Sequence, residues 1–183
     1  IIWTTTPWTM PGNRAVAYGK NIKYSLLSVT STNEGSLSKV NEKVIIAEEL
    51  VETFVNETKI KEYEILRMFN SNDLEGLILL HQLHAFGYDF DVHLLEADFV
   101  TTDQGTGFVH IAPGHGSDDF DLGVKFSLPI PETVEDDGYL KKSLPHYGGF
   151  HVLRDNEKIA DMMLEKNALI GRGKLVHSYP HSW

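Results

Sequence analysis

The architecture turns on one segment, Gly105-Thr106-Gly107-Phe108-Val109-His110-Ile111-Ala112-Pro113-Gly114-His115-Gly116-Ser117-Asp118-Asp119-Phe120. From Thr106 to Ala112 both alternating faces are apolar, which predicts a strand covered on both sides. Phe108, His110 and Ala112 share one face of that strand, and Val109 and Ile111 share the other. His110 is therefore expected buried, either as a satisfied core histidine or as the wall of a pocket. Pro113 and its glycine neighbours stop the strand. A helix is predicted over residues 117–126, with Ser117 as its cap and Asp118 and Asp119 in its first turn. His115, between two glycines, reads as a loop residue bonded to local backbone.

The acidic helix start limits the chemistry. The glycines match neither the P-loop nor the dinucleotide fingerprint. Asp118 and Asp119 would repel a phosphate at that helix terminus, whereas a cation such as an ammonium group would be held there. Simple stabilisation of the helix dipole is the other reading of the two acids.

Working outward, strands are predicted at Ala15 to Tyr18, Tyr24 to Val29, Lys43 to Ile46, Tyr63 to Met68, Leu77 to Leu80 and Asp91 to Ala97. Residues 47–58 carry Leu50, Val51, Phe54 and Val55 at helical spacing. A hairpin-type turn is expected at Asp136-Asp137-Gly138-Tyr139. The longest helical pattern runs from Arg154 to Leu169, with Ile159, Met162 and Met163 in its stripe and a stop at Gly171. Many short strands and few helices give an expected α+β, mainly β class, with a β-barrel-like core and peripheral helices. Residues 1–183 are expected to form one domain, a fragment of a larger protein: Ile1-Ile2-Trp3-Thr4 resembles a strand already under way, not a signal peptide.

A second constellation opens the chain: Trp3-Thr4-Thr5-Thr6-Pro7-Trp8-Thr9-Met10-Pro11-Gly12-Asn13. Consecutive threonines favour a strand, and a plain edge strand ending at Pro7 accounts for the run alone. With Pro7, Trp8, Pro11 and Asn13 it reads instead as a rigid rim, with hydroxyls and backbone groups held ready for a polar ligand or a water.

Composition removes several classes. The 183 residues contain no cysteine, so disulfides and thiolate metal sites are excluded. The histidines do not fall at a zinc spacing, and no metal site is expected. No apolar run approaches the roughly 20 residues of a membrane span. The formal net charge of -10 gives little counterion release on a polyanion, so affinity for a nucleic acid must come from elsewhere.

Together the two constellations resemble the editing (CP1) domain of isoleucyl-tRNA synthetases, class I enzymes. The family's threonine-rich peptide appears as Thr4-Thr5-Thr6-Pro7-Trp8-Thr9 with Pro11 and Asn13. Its second signature appears from Gly105 to Asp119. Valyl and leucyl relatives usually carry an arginine before that proline and an acid after it, where this chain has Thr6 and Trp8. Gly12 stands where alanine is common, and residues 30–100 match loosely. His177-Ser178-Tyr179-Pro180-His181-Ser182-Trp183 resembles the return strand into the catalytic body.

The resemblance implies a cytoplasmic, monomeric ester hydrolase without a cofactor. Its partners would be the rest of the synthetase and the 3′ end of tRNA(Ile) carrying valine; no membrane is implied. A hydrophobic pocket gains only about 1–3 kcal/mol from the methylene separating isoleucine from valine, the isoleucyl enzymes being the usual illustration of that limit. A second, smaller site would remove the error. The resemblance gives Asp119 the α-ammonium and His110 the side-chain pocket. Thr4, Thr5, Thr6 and Asn13 would hold the adenosine, the ester and the attacking water. Thr9 and Gly107 would line the site, and Trp8 would stack on adenine or pack. A valyl- or leucyl-type editing domain is the alternative within the class. Outside it stand a non-catalytic aminoacyl-adenosine binding module and a purely structural barrel insert.

Overall fold

The computed structural model describes residues 1–173, in which seven strands and three α-helices follow one another. In chain order these are β1 (Ala15–Tyr18), β2 (Tyr24–Thr32), β3 (Lys43–Ala47), α1 (Val51–Glu57), β4 (Ile60–Phe69), β5 (Ile78–Leu80), β6 (Asp91–Glu96), β7 (Phe108–Ile111), α2 (Ser117–Lys125) and α3 (Asn156–Glu165). The return strand expected at 177–183 lies outside the described residues.

All four residues of β1 are buried, as its apolar sequence Ala-Val-Ala-Tyr requires. It lies inside a four-stranded sheet of order β5-β6-β1-β7, parallel to β6 and antiparallel to β7. That register sets Val16 opposite His110 and Tyr18 opposite Phe108. A second sheet, β3-β2-β4, is antiparallel. The sheets meet at one corner. There the Ala47 N–H donates to Thr106 O at 2.9 Å, and the Tyr24 hydroxyl donates to Gly107 O at 2.8 Å.

The class of mixed sheets with helices agrees with expectation, but the barrel-like core is not confirmed. Among the described residues neither sheet closes. The strands of the four-stranded sheet have three to six residues, too short to wrap, and the corner is joined by single bonds instead of a ladder.

Three apolar clusters fill the molecule. The largest lies between the sheets and α1, around Tyr24, Leu27, Ile46 and Phe54. A second joins Met10, Leu83, Tyr88, Tyr147, Ile159 and Met163. The third seats α2 against the four-stranded sheet through Ala15, Ala17, Ile111 and Leu122.

Local chemistry explains where elements depart from the sequence pattern. Residues 1–9 are not a strand: Pro7–Gly12 is a 3-10 helix. Pro7 and Pro11 lack the N–H a ladder needs, and Thr4 Oγ1 accepts the Thr6 N–H at 3.0 Å, a local bond that competes with strand pairing. Gly116, not Ser117, occupies the cap position of α2, without a side-chain cap bond. The region 47–58 starts with a 3-10 turn, Glu48–Leu50, before α1. α3 ends at Glu165, well before Gly171. Asn167 takes a φ of 56° there, and Ala168 N–H reaches back to Met163 O at 2.9 Å, a Schellman stop built on asparagine.

Candidate active site

Residues 105–110, which run into β7, with the loop after that strand and the first turn of α2, form one wall of a cavity of about 420 Å³. The threonine peptide forms the facing wall. Thr4, Thr5, Thr6, Thr9, Gly107, His110 and Asp119 all line it. Residues more than a hundred positions apart thus meet because β1 follows the 3-10 helix directly and pairs with β7.

His110 is buried, and its two ring nitrogens are both engaged. Nε2 lies 3.0 Å from Thr9 Oγ1, and Nδ1 is in contact with Asn13 Nδ2. Thr9 Oγ1 already donates its proton to Thr6 O at 2.9 Å, so toward His110 it accepts. Asn13 Nδ2 donates one hydrogen to Ala15 O at 3.0 Å and the other to Nδ1. This network assigns the Nε2–H tautomer. Desolvation first, and then repulsion from His81 and His115, push the His110 pKa down to about 3. The ring is neutral, saturated and fixed: it is a wall, with no lone pair left for a base.

Asp119 projects from the first turn of α2. Its Oδ2 accepts the Ala112 N–H at 2.8 Å, which ties α2 to the end of β7. Oδ1 has no protein hydrogen bond among the described residues. Partial burial raises the Asp119 pKa, the Ala112 bond opposes that rise, and Asp118 adds to it. A carboxylate under such desolvation gains most from an incoming cation. Among the described residues, no three His, Asp or Glu side chains converge as a metal site would require.

The placement of other sequence candidates is less direct. Asn13, expected to hold the adenosine, ester or water, is almost fully buried behind His110, does not line the cavity and supports the imidazole through Nδ2. Trp8 also stays off the cavity wall; it packs edge-on to His115 with ring centroids 5.0 Å apart. His115 does line the cavity, and its side chain bonds not local backbone but Thr133 Oγ1, at 2.6 Å. Trp3, at the head of the threonine peptide, and Asp118 line it too, as do Phe99, Thr101 and Gln104, which carried no signal in the sequence because each is an isolated residue in an irregular segment.

No family model matches the chain. Curated isoleucine–tRNA ligases match it from end to end. That of Gluconobacter oxydans is 44% identical over 194 residues, covering 100% of this chain and 20% of the relative. That of Pelagibacter ubique is 43% identical over 183 residues, with the same shares. The chain belongs to the isoleucine–tRNA ligase family. It spans about a fifth of the length of the curated relatives it matches. Among solved structures it resembles a leucyl-tRNA synthetase CP1 domain (GlLeuRS-CP1) with a TM-score of 0.69, at 15% identity over 97% of this chain and 83% of that one. The editing domain of the P. knowlesi cytosolic leucyl-tRNA synthetase gives 0.65 at 12% identity, covering 92% and 82%. At such identities the likeness concerns the fold, that of the CP1 domains of class I synthetases. No described helix of this isoleucyl-type chain is long and apolar enough to cross a membrane.

Proposed function

We propose that residues 1–183 are the editing domain of a larger isoleucyl-tRNA synthetase. Its reaction is hydrolysis of the ester of valine wrongly attached to tRNA(Ile), carried out as a monomeric unit in the cytoplasm. The observation that carries this reading is the sharing of one small cavity by an under-solvated carboxylate, Asp119, and a rigid neutral wall, His110.

In this reading Asp119 binds the α-ammonium of the aminoacyl group. Its Oδ2 is committed to Ala112, so Oδ1 takes the new contact. His110 faces the amino-acid side chain and leaves no room for the extra methylene of isoleucine. Both ring nitrogens being engaged supports a steric task over proton transfer. The hydroxyls and backbone of Thr4, Thr5 and Thr6 hold the ester and the water. The water oxygen attacks the ester carbonyl carbon, the bond from that carbon to the ribose oxygen breaks, and the released ribose oxygen takes up a proton. Neither a cysteine nor a serine–histidine pair lines the cavity, which favours attack by water over an acyl-enzyme. Orientation and fixed dipoles would supply the acceleration.

The test is direct. The chain is incubated with Val-tRNA(Ile) and Ile-tRNA(Ile), and release of each amino acid is followed. Rapid loss of valine with isoleucine retained is expected; retention of both would discard the proposal.

A further inference from the structure

The 3-10 helix Pro7–Gly12 presents Thr9 to the cavity and leads into Asn13, and these two residues hold the His110 ring. This short helix is anchored from behind by side chains that never reach the cavity. His81, buried between β5 and β6, donates from Nε2 to Met10 O at 2.9 Å, and its Nδ1 accepts the Leu83 N–H at 3.1 Å. The Leu83 amide can only donate, so the ring must carry its proton on Nε2. The ring also stacks on Tyr88, with centroids 4.6 Å apart and an interplanar angle of 19°. Arg14 Nη1 donates to Pro11 O at 3.1 Å and Asn13 O at 2.7 Å, while its guanidinium lies 4.0 Å from the centre of the Phe90 ring. The carbonyls of Met10, Pro11 and Asn13, at the end of the short helix, are therefore all held by donors from behind.

We infer that His81 is a positioning residue of the editing site, acting through the Met10 carbonyl to keep Thr9 and Asn13 in register with His110. The inference rests on the hydrolytic reading above. Geometry separates this role from mere packing. His81 is the described side chain that bridges the segment after β5 to the helix of the threonine peptide by a hydrogen bond at Met10. The helix has two prolines and is six residues long, so its own hydrogen bonds cannot hold its orientation. Release of Met10 O lets Thr9 and Asn13 tilt, and both the wall and the hydroxyls beside it move.

Two variants of the full chain test this. In His81→Asn the amide stands near the position of Nδ1, keeps an acceptor for Leu83 N–H and cannot reach Met10 O. In His81→Gln the longer amide places an N–H near the position of Nε2 and restores the link. Val44→Ala, in the largest core cluster and away from the short helix, is the control for lost stability. With Val-tRNA(Ile), His81→Asn is expected to lower kcat about tenfold to a hundredfold with KM within about twofold, because positioning is lost and contacts with the ester are not. Its preference for Val-tRNA(Ile) over Ile-tRNA(Ile) is expected to fall in the same proportion. His81→Gln and Val44→Ala keep both properties. Normal kcat and preference in His81→Asn would overturn the inference, as would equal losses in Gln or in the Val44 control. Failure of the unmodified chain to release valine would instead sink the hydrolytic reading itself.

Discussion

In the proposed reading Asp119 has two tasks, the observed bond of Oδ2 to the Ala112 N–H and an ammonium contact at Oδ1, and substitutions separate them. Asp119→Asn keeps a carbonyl oxygen to accept the Ala112 N–H and loses the charge. Thermal stability is expected to stay near that of the parent, while kcat/KM for Val-tRNA(Ile) falls about tenfold to a hundredfold, the worth of one charge-assisted hydrogen bond. Asp119→Ala also leaves the Ala112 N–H unpaired, at a cost of about 1–3 kcal/mol in a denaturant titration. Equal stability of the two variants would contradict the Oδ2 anchor. His110→Ala enlarges the cavity and strips Asn13 and Thr9 of their partner. A stability loss of about 2–4 kcal/mol is expected. Relative hydrolysis of Ile-tRNA(Ile) should rise about tenfold or more, the scale of one methylene. That His110 lies buried on an apolar strand face was legible in the alternation of residues 106–112. Its tautomer was not, because Asn13 and Thr9 sit 97 and 101 positions away.

At the scale of elements, β7 and α2 followed from local pattern, since burial on both faces and an acidic first turn are written in neighbouring residues. The threonine peptide did not. Threonine propensity favours strand, yet a side-chain bond from Thr4 and two prolines decide for a 3-10 helix. Gly107 shows why the residue before β7 must be glycine. It has a φ of 76°, and a Cβ there would stand 2.4 Å from the Ala47 Cβ, at the corner where the sheets meet. Gly107→Ala is expected to cost about 2–4 kcal/mol through left-handed strain and overpacking. Because Gly107 also lines the cavity, hydrolysis should weaken with it. An unchanged melting temperature would refute the close corner. Gly12 is a milder case: a Cβ there meets His115 at 3.3 Å, a fit that a small shift of the ring relieves.

For the whole molecule, two buried histidines set the response to acid. Burial pushes the pKa of His81 from 6.5 down to about 4, helped by Arg14 and His84 against the Met10 bond, and that of His110 down to about 3. At these two rings the unfolded chain therefore binds more protons than the folded one between about pH 6.5 and 3, and their contribution to folding stability falls as pH falls through that window. Above pH 6.5 this contribution is fully present. The loss, on the order of a few kcal/mol, should appear in urea titrations at successive pH values, and His81→Gln should flatten it. The net charge of -10 bears on recognition: binding of the chain to tRNA(Ile) should be weak, with a shallow dependence of log Kd on log salt. A slope steeper than about three phosphate contacts would require a basic surface not evident in the composition.

The chain of amino acids determined by itself what depends on neighbours a few positions apart. That set comprises most of the strands, the acid-led helix α2, the turn at residues 136–139 and the two motifs that resemble the isoleucyl editing peptides. The tertiary structure alone decided that the strands form two open sheets joined at one corner. It also decided that Asn13 stands behind the cavity instead of in it, and that His81, Arg14 and Thr133 brace the site from outside. The division has a physical cause. Secondary structure reports local sterics and hydrogen-bonding competition. A ring's protonation, a wall's rigidity and a sheet's closure depend on partners that only the folded topology brings within hydrogen-bonding reach.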